Sequence, residues 1–149
     1  MSFSLSSTFI RRLTVALRLA MGLMFLYAAW TKLTQPWIQV AMTVEAYQLL
    51  PPGAVEFVAR TLPWAELALG LWLISGVWLR WAASAASALL AAFLAVLVRS
   101  YVKGMQIECG CFGPGDPLSA YTLARDSTLL LLSLLLTALA FRRACRPSA

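Results

Sequence analysis

Residues 81–101 read WAASAASALLAAFLAVLVRSY, and this stretch decides the fold class. It contains neither Gly nor Pro, and Arg99 is its only charged residue. Its length matches the roughly 20 residues that a helix needs to cross the hydrocarbon core of a bilayer. A strand of an outer-membrane barrel would be about half as long and would alternate apolar with polar residues. We therefore predict a transmembrane helix over 81–101.

Three further segments, 13–33, 62–79 and 121–141, have the same length and apolar character. Each is bounded by Arg, Lys or Trp, the residues that anchor helices at the level of the lipid headgroups. Of the 149 residues, 61% are hydrophobic and 12% are charged, whereas soluble domains have about 45–50% and about 25%. The sequence thus predicts an all-α fold: one integral-membrane four-helix bundle over residues 1–149.

The connections between the helices differ in length. Segments 62–79 and 81–101 are joined by little more than Arg80, which predicts an antiparallel hairpin. The Ala and Ser residues of 81–101 recur at four-residue spacing, which favours close packing and a buried central position for this helix. Residues 37–50 are amphipathic and are flanked by prolines, so we expect a short helix that lies in the membrane interface between helices one and two.

Basic residues near the helix ends indicate the orientation. One side has Arg11, Arg12, Arg80, Arg142, Arg143 and Arg146, and the other has Lys32, Arg60, Arg99, Lys103 and Arg125. Because the Arg-rich C-terminal tail is hard to translocate, we predict a bacterial inner-membrane protein with both termini in the cytoplasm. The loop 103–120 would then lie outside.

Two other interpretations of the charges are rejected. The first segment begins like a secretory signal, but Arg18 interrupts it and residues 27–30 make a poor cleavage site, so we keep it as helix one. The net charge of +6 comes from residues dispersed at helix ends and not from a basic stripe with interleaved aromatics. We therefore predict no nucleic-acid partner.

The chemistry concentrates in the loop 103–120, which carries Cys109 and Cys111 one residue apart. A disulfide between them would close a small, strained and readily reducible ring, which favours a redox role. A structural disulfide over one residue would constrain almost no chain entropy. A metal site is not expected, because the chain has no His and its third cysteine, Cys145, lies at the other end of the bundle. Two inert thiols remain an alternative, and Cys145 itself is read as a free thiol, with lipid attachment as the lesser alternative.

Ionisable residues within apolar helices are costly and are often functional. Glu66, Arg125 and Asp126 lie about one turn from the same membrane face, and Lys32 ends helix one at that face. We therefore predict a Glu66–Arg125 pair beneath the cysteine loop, with Lys32 and Asp126 as further members of the cluster. The alternative is an ion pair that only holds the bundle together.

Several short elements of the chain resemble those of the MauE methylamine-utilisation proteins, within the wider DoxX-like group. These elements are Phe25/Tyr27 to Lys32, Tyr47-Gln48-Leu49-Leu50-Pro51, the stretch from Pro63 through Glu66 to Gly70, and Cys109-Gly110-Cys111-Phe112-Gly113. The resemblance covers nearly the whole chain. It implies a role beside a periplasmic thioredoxin-like protein in maturing disulfide-rich enzymes such as the methylamine dehydrogenase light chain.

The resulting hypothesis is a membrane thiol–disulfide component whose Cys109/Cys111 pair exchanges with a soluble thioredoxin-like protein or its client enzyme. One cysteine would attack and the other would resolve. No cofactor is required by the sequence, although a quinone is the candidate electron acceptor, in a pocket edged by Glu66 and Arg125. The alternative function is a non-enzymatic membrane scaffold for a secreted partner. A small-molecule carrier is disfavoured, because helices one, three and four lack polar interruptions at mid-membrane.

Overall fold

The protein is all-α, as the sequence predicts. The computed structural model describes residues 7–112 and 115–144, and within them the only strand-like pairing is an isolated antiparallel bridge between Glu108 and Pro117. The helices in these two segments are α1 (Ser7–Leu33), α2 (Trp37–Ala46), α3 (Pro52–Ser75), α4 (Leu79–Val102) and α5 (Ala120–Ala144). Cys145 and its basic tail lie outside the described residues.

Four of these helices are long and apolar enough to cross a membrane: Thr8–Leu33, Pro52–Ser75, Leu79–Val102 and Ala120–Arg142. They leave large apolar side chains exposed, among them Leu23, Phe57 and Leu131. Apolar surface of this extent needs lipid to cover it. The predicted four-helix transmembrane bundle is confirmed, and the chain is a multi-pass membrane protein in contact with the bilayer.

The second transmembrane helix is longer at its start than predicted. α3 begins at Pro52, ten residues before the expected 62, and continues through Pro63. Pro52 favours a helix start because its missing N–H is not needed there, whereas an internal proline such as Pro63 is tolerated in transmembrane helices. Gly76, with φ +70°, then ends α3 four residues before the predicted boundary, because a left-handed residue caps a helix without strain only when it is glycine.

The helices associate as two pairs, α1 with α3 and α4 with α5. α1 and α3 approach closely at Gly22 and Gly70, where a Cβ on Gly70 would lie 2.9 Å from the Gly22 carbonyl oxygen. α4 buries one face of small residues, including Ala82, Ala83 and Ala86. Its opposite face is exposed, so the expected buried central position of this helix is wrong, although the close packing through small residues is found.

The region that carries the cysteines covers one end of the bundle, which we call the loop end. It is formed by the connection 103–119 between α4 and α5 together with α2. Tyr47, Leu97 and Cys109 form a small buried core there, separate from the mid-bundle core around Phe25, Leu73 and Leu136. The loop is thus fixed on the helices by its own apolar contacts.

Candidate functional site

The structure brings all six sequence-predicted site residues together at the loop end. Lys32 lies in the last turn of α1, Glu66 lies within α3, and Arg125 and Asp126 lie in the second turn of α5. The connection above them carries Cys109 and Cys111. Lys32, Glu66, Asp126 and Cys109 are all buried, and Cys111 is partly exposed.

Cys109 and Cys111 form a pair of thiols in direct contact. Their sulfur atoms lie 2.7 Å apart, and both are free cysteines. The residue between them, Gly110, has φ +67°, a left-handed conformation that glycine adopts without a steric penalty. Gly110 also lies so close to Thr43 of α2 that a Cβ on it would overlap the Thr43 methyl group. Both the turn and the packing of α2 therefore require glycine at this position.

Backbone hydrogen bonds hold the cysteine loop in place. The Cys109 N–H donates to the Asp116 carbonyl at 2.7 Å, and the Leu118 N–H donates to the Ile107 carbonyl at 2.9 Å. From α2, the Tyr47 hydroxyl donates to the Cys109 carbonyl at 2.5 Å. Burial raises the pKa of Tyr47, so this hydroxyl keeps the proton that it donates. The backbone of Cys109 is therefore held by two uncharged groups: its N–H by the Asp116 carbonyl and its carbonyl by the Tyr47 hydroxyl.

Lys32 and Glu66 form a buried ion pair beneath the loop. Lys32 Nζ lies 3.1 Å and 3.0 Å from the two carboxylate oxygens of Glu66, and it also donates to the Cys111 carbonyl at 2.9 Å. Both residues are only 5% exposed. The prediction of a Glu66–Arg125 pair is wrong: the last turn of α1 packs against α3, so Lys32 reaches Glu66 first.

Arg125 instead pairs with two aspartates on its own side of the site. Its Nη1 lies 2.8 Å from Asp116 Oδ2, and its Nε lies 3.1 Å from Asp126 Oδ1. The guanidinium also lies 4.7 Å from the centre of the Phe112 ring, a distance at which a cation–π interaction is attractive. Its Nη2 lies 3.8 Å from Cys109 Sγ, so a positive charge lies next to the buried sulfur.

Asp126 faces both thiols. Its Oδ2 lies 3.8 Å from Cys109 Sγ and 3.6 Å from Cys111 Sγ, while its Oδ1 is held by Arg125. A carboxylate so close to two sulfurs disfavours placing negative charge on both of them at once. The pair is therefore suited to carry one thiolate and one thiol.

The surroundings of the two cysteines shift their pKa values in opposite directions. Hydrogen bonding by Cys111, assisted by the charge of Arg125, lowers the pKa of Cys109 despite its burial. The same hydrogen bond and burial raise the pKa of Cys111. Of the two sulfurs, Cys109 is therefore the one that loses its proton first, and Cys111 is the more exposed thiol.

Sulfur and carboxylate atoms of Cys109, Cys111 and Asp126 lie within 4.8 Å of one another, close enough to converge on one metal ion. The adjacent Arg125 guanidinium opposes a cation at this position, because like charges repel strongly in a poorly solvated site. The arrangement is better suited to a thiolate, whose negative charge Arg125 stabilises.

The cavity next to Cys111 does not fit the predicted quinone. It has a volume of about 40 Å³ and is edged by Glu66, Asp126 and Phe112 among apolar side chains. That volume admits a few water molecules, whereas small-molecule sites typically measure about 300 Å³ or more. Arg125, the expected second edge of a quinone pocket, does not line this cavity.

Tyr47 and Asp116 belong to the site but were not assigned to it from the sequence. Tyr47 follows the amphipathic helix α2 by one residue, and only the tertiary packing of α2 against the loop brings it to Cys109. Asp116 could have been suspected, because it is an acidic residue in the same loop as the cysteines. The sequence, however, predicts Glu66 as the partner of Arg125.

Comparison with known proteins identifies the relatives of this chain. Residues 10–139 match the family model described as methylamine utilisation protein MauE. The methylamine utilization protein MauE of Paracoccus denitrificans is 38% identical over 122 residues, which cover 80% of this chain and 65% of the relative. The chain therefore spans about two thirds of the length of that curated relative. No solved structure matches the chain.

Proposed function

This chain belongs to the MauE family, and on that premise we propose that it is a membrane thiol–disulfide exchange component for the maturation of a disulfide-containing enzyme. The Paracoccus denitrificans relative is named for methylamine utilisation, so the client we propose is an enzyme of methylamine metabolism such as methylamine dehydrogenase. The exchange partner would be a thioredoxin-like protein or the client itself.

The observation that carries the proposal is the asymmetry of the cysteine pair. Cys109 is fully buried beside Arg125, whereas Cys111 is partly exposed. In thiol–disulfide exchange, the accessible sulfur is the one attacked, and a low pKa makes the other sulfur a good leaving group. An inert disulfide or a structural thiol pair would need neither the cation nor the difference in exposure.

The proposed reaction has two exchange steps. A thiolate of the partner attacks Cys111 of the oxidised pair, forming a mixed disulfide while the Cys109–Cys111 bond breaks and Cys109 leaves as a thiolate. A second thiolate of the partner then attacks its own sulfur in the mixed disulfide and releases Cys111, which takes up a proton. The partner gains a disulfide, and this chain is left with one thiolate and one thiol; the reverse sequence reduces the partner.

The topology that this function needs agrees with the distribution of arginine. Four spans place the two ends of the bundle on opposite sides and both termini on the same side. We propose that the termini are cytoplasmic in a bacterial inner membrane and that the loop end faces the periplasm, where disulfides form and persist.

Trapping the mixed disulfide tests the proposal. Cys109→Ser leaves Cys111 without its resolving partner, so a complex with the partner protein should accumulate through Cys111 and disappear on reduction. Cys111→Ser removes the attacked sulfur and should accumulate far less of this complex. Cells that carry either variant should lose maturation of the client enzyme, measured as its activity.

The trapping experiment also separates this function from a scaffold. Cys145→Ser keeps the proposed pair and serves as the matched control, with maturation unchanged. If both loop variants support maturation as well as this control does, the exchange function is wrong and a non-enzymatic scaffold takes its place.

A further inference from the structure

A cleft lined by both polar and apolar residues lies at the loop end between α2 and the cysteine loop. It has a volume of about 410 Å³, about ten times that of the cavity next to Cys111. Its polar lining residues include Gln39 and Thr43 of α2 with Gln106 and Glu108 of the loop. Within the described residues, the side-chain amides of Gln39 and Gln106 form no hydrogen bond with another residue. Such amides can both donate to and accept from a peptide backbone.

The loop wall of this cleft pairs with residues 116–118 through one edge only. Ile107 and Cys109 make backbone hydrogen bonds with Leu118 and Asp116, on the side away from the cleft. Backbone groups of alternate residues in an extended chain point to opposite sides, so those of Gln106 and Glu108 point towards α2. The hydroxyl of Tyr47, the residue after α2, lies on this side and donates to the Glu108 carbonyl at 3.4 Å. Within the described residues, the N–H groups of Gln106 and Glu108 make no backbone hydrogen bond.

The cleft continues towards the cysteines. A smaller cavity of about 30 Å³ touches Cys109 and Gly110, and it shares Gln35 and Thr43 with the cleft. Thr43 lies directly against Gly110, so one wall residue of the cleft contacts the turn between the two cysteines. A chain bound in the cleft would therefore pass close to Gly110, the residue between the two cysteines.

We propose that this cleft binds an extended, cysteine-bearing segment of the partner polypeptide as an added strand along the edge of residues 106–108. Strand addition of this kind takes its affinity from main-chain hydrogen bonds and tolerates varied side chains. It would hold a thiol of the partner beside the Cys109–Gly110–Cys111 turn for the exchange. The inference rests on the proposed function and adds how the partner is recognised.

The test compares two probe thiols: a cysteine within a five-residue peptide and a single cysteine with no flanking residues. The oxidised full-length protein in detergent is reacted with the peptide acetyl-Thr-Val-Cys-Val-Thr-amide and with N-acetylcysteine amide, and the two second-order rate constants are compared. We expect the peptide to react about tenfold faster, the effect of two net backbone hydrogen bonds. Gln106→Pro, which removes the outward N–H, should bring the ratio close to one, whereas Lys103→Ala in the same connection should leave it unchanged.

A second measurement uses the unaltered protein and so does not depend on the folding of a variant. The peptide is N-methylated at alternate residues in either of the two registers, and only the register that faces residues 106–108 should lose the rate advantage. A ratio near one for the unaltered protein, or a ratio insensitive both to Gln106→Pro and to the methylation register, would overturn the docking edge and leave the exchange function standing. If neither thiol reacts, the proposed function fails, and this inference fails with it.

Discussion

At the scale of single residues, the charges around Cys109 decide which sulfur becomes the thiolate. Arg125 lies 3.8 Å from Cys109 Sγ, and Asp126 lies 3.8 Å away from the same atom. These opposite charges act against each other, and hydrogen bonding by Cys111 makes the largest contribution to lowering the pKa of Cys109. The thiolate thus depends more on the pairing of the two cysteines than on either charged neighbour.

The first prediction follows from the sign of this shift. Because the pKa of Cys109 is lowered, its thiolate should form in the reduced protein at a pH below the ordinary value for cysteine. Arg125→Gln removes a cation and should move the midpoint to higher pH, while Asp126→Asn removes an anion and should move it to lower pH. The ultraviolet absorbance of the thiolate, titrated against pH, measures the midpoint. Shifts of the same sign in both variants would contradict the assignment.

The second prediction concerns the buried Lys32–Glu66 pair. Removing one partner from such a pair typically costs about 3–5 kcal/mol, because the other charge is left buried and alone. We therefore expect Lys32→Met and Glu66→Gln each to destabilise the protein strongly, and the double variant to lose much less than the sum of the two. Unfolding in detergent gives these differences in free energy. Additive losses would show that the two residues do not depend on each other.

The matched control for this comparison of single and double variants is the exposed ion pair of Glu56 and Arg60, which both lie on α3. Its side chains are 53% and 55% exposed, and pairs of this kind contribute about 0–1 kcal/mol. Glu56→Gln should therefore change stability little, which separates the effect of burial from that of charge alone.

At the scale of the secondary-structure elements, the contact of α1 with α3 depends on glycine. The Gly22 carbonyl and the Leu26 side chain occupy the space that a Cβ on Gly70 would enter, at 2.9 and 3.0 Å. The close approach packs α1 against α3 around Gly22 and Gly70, and Lys32 and Glu66 lie further along the same contact, nearer the loop end. The packing of these two helices therefore also positions the site.

The third prediction tests this contact. Gly70→Ala should push α1 and α3 apart and cost about 1–3 kcal/mol, the usual effect of overpacking. Gly53→Ala lies on the same helix with nothing within 4 Å of the added Cβ, so it should be neutral or slightly stabilising. Unfolding in detergent compares the two variants. Equal stability would mean that the helices do not need this close approach.

The sequence predicts the helices well where the apolar pattern is long, but it gives their ends and pairings poorly. The helix through residues 81–101 could be predicted because length and hydropathy are properties of the segment alone. The start of α3 at Pro52 could not, because Pro63 carries an equally good signal for a helix start. The partner of Glu66 depends on which helices pack together, and that depends on the contact between Gly22 and Gly70, which are not site residues themselves.

At the scale of the whole molecule, the site lies at one end of the bundle, where the connection between α4 and α5 covers the ends of the helices. The cysteines, the Lys32–Glu66 pair and the cleft of α2 all belong to this end. The type and position of these residues could be predicted from charges and cysteines in an apolar chain, where such groups are rare and costly. The cleft could not, because it forms only when α2 packs beside the loop.

The fourth prediction concerns orientation. A single cysteine placed at the exposed Lys103 of the loop end, in a chain whose own cysteines are serine, should react with a membrane-impermeant maleimide in intact cells. A single cysteine at Arg11, near the start of α1, should react only after the cells are opened. Labelling with the opposite pattern would place the loop end in the cytoplasm.

The central claim, that Cys109 and Cys111 form an exchanging pair, is tested most directly by their reduction potential. The purified protein is equilibrated with glutathione buffers of graded ratio, and the oxidised fraction is measured by alkylation and mass spectrometry. Stabilisation of the Cys109 thiolate favours the reduced form, so we predict a potential above about −250 mV, where the pair exchanges freely with protein dithiols. A potential below about −300 mV, typical of structural disulfides, or a pair that stays reduced in every buffer, would contradict the account.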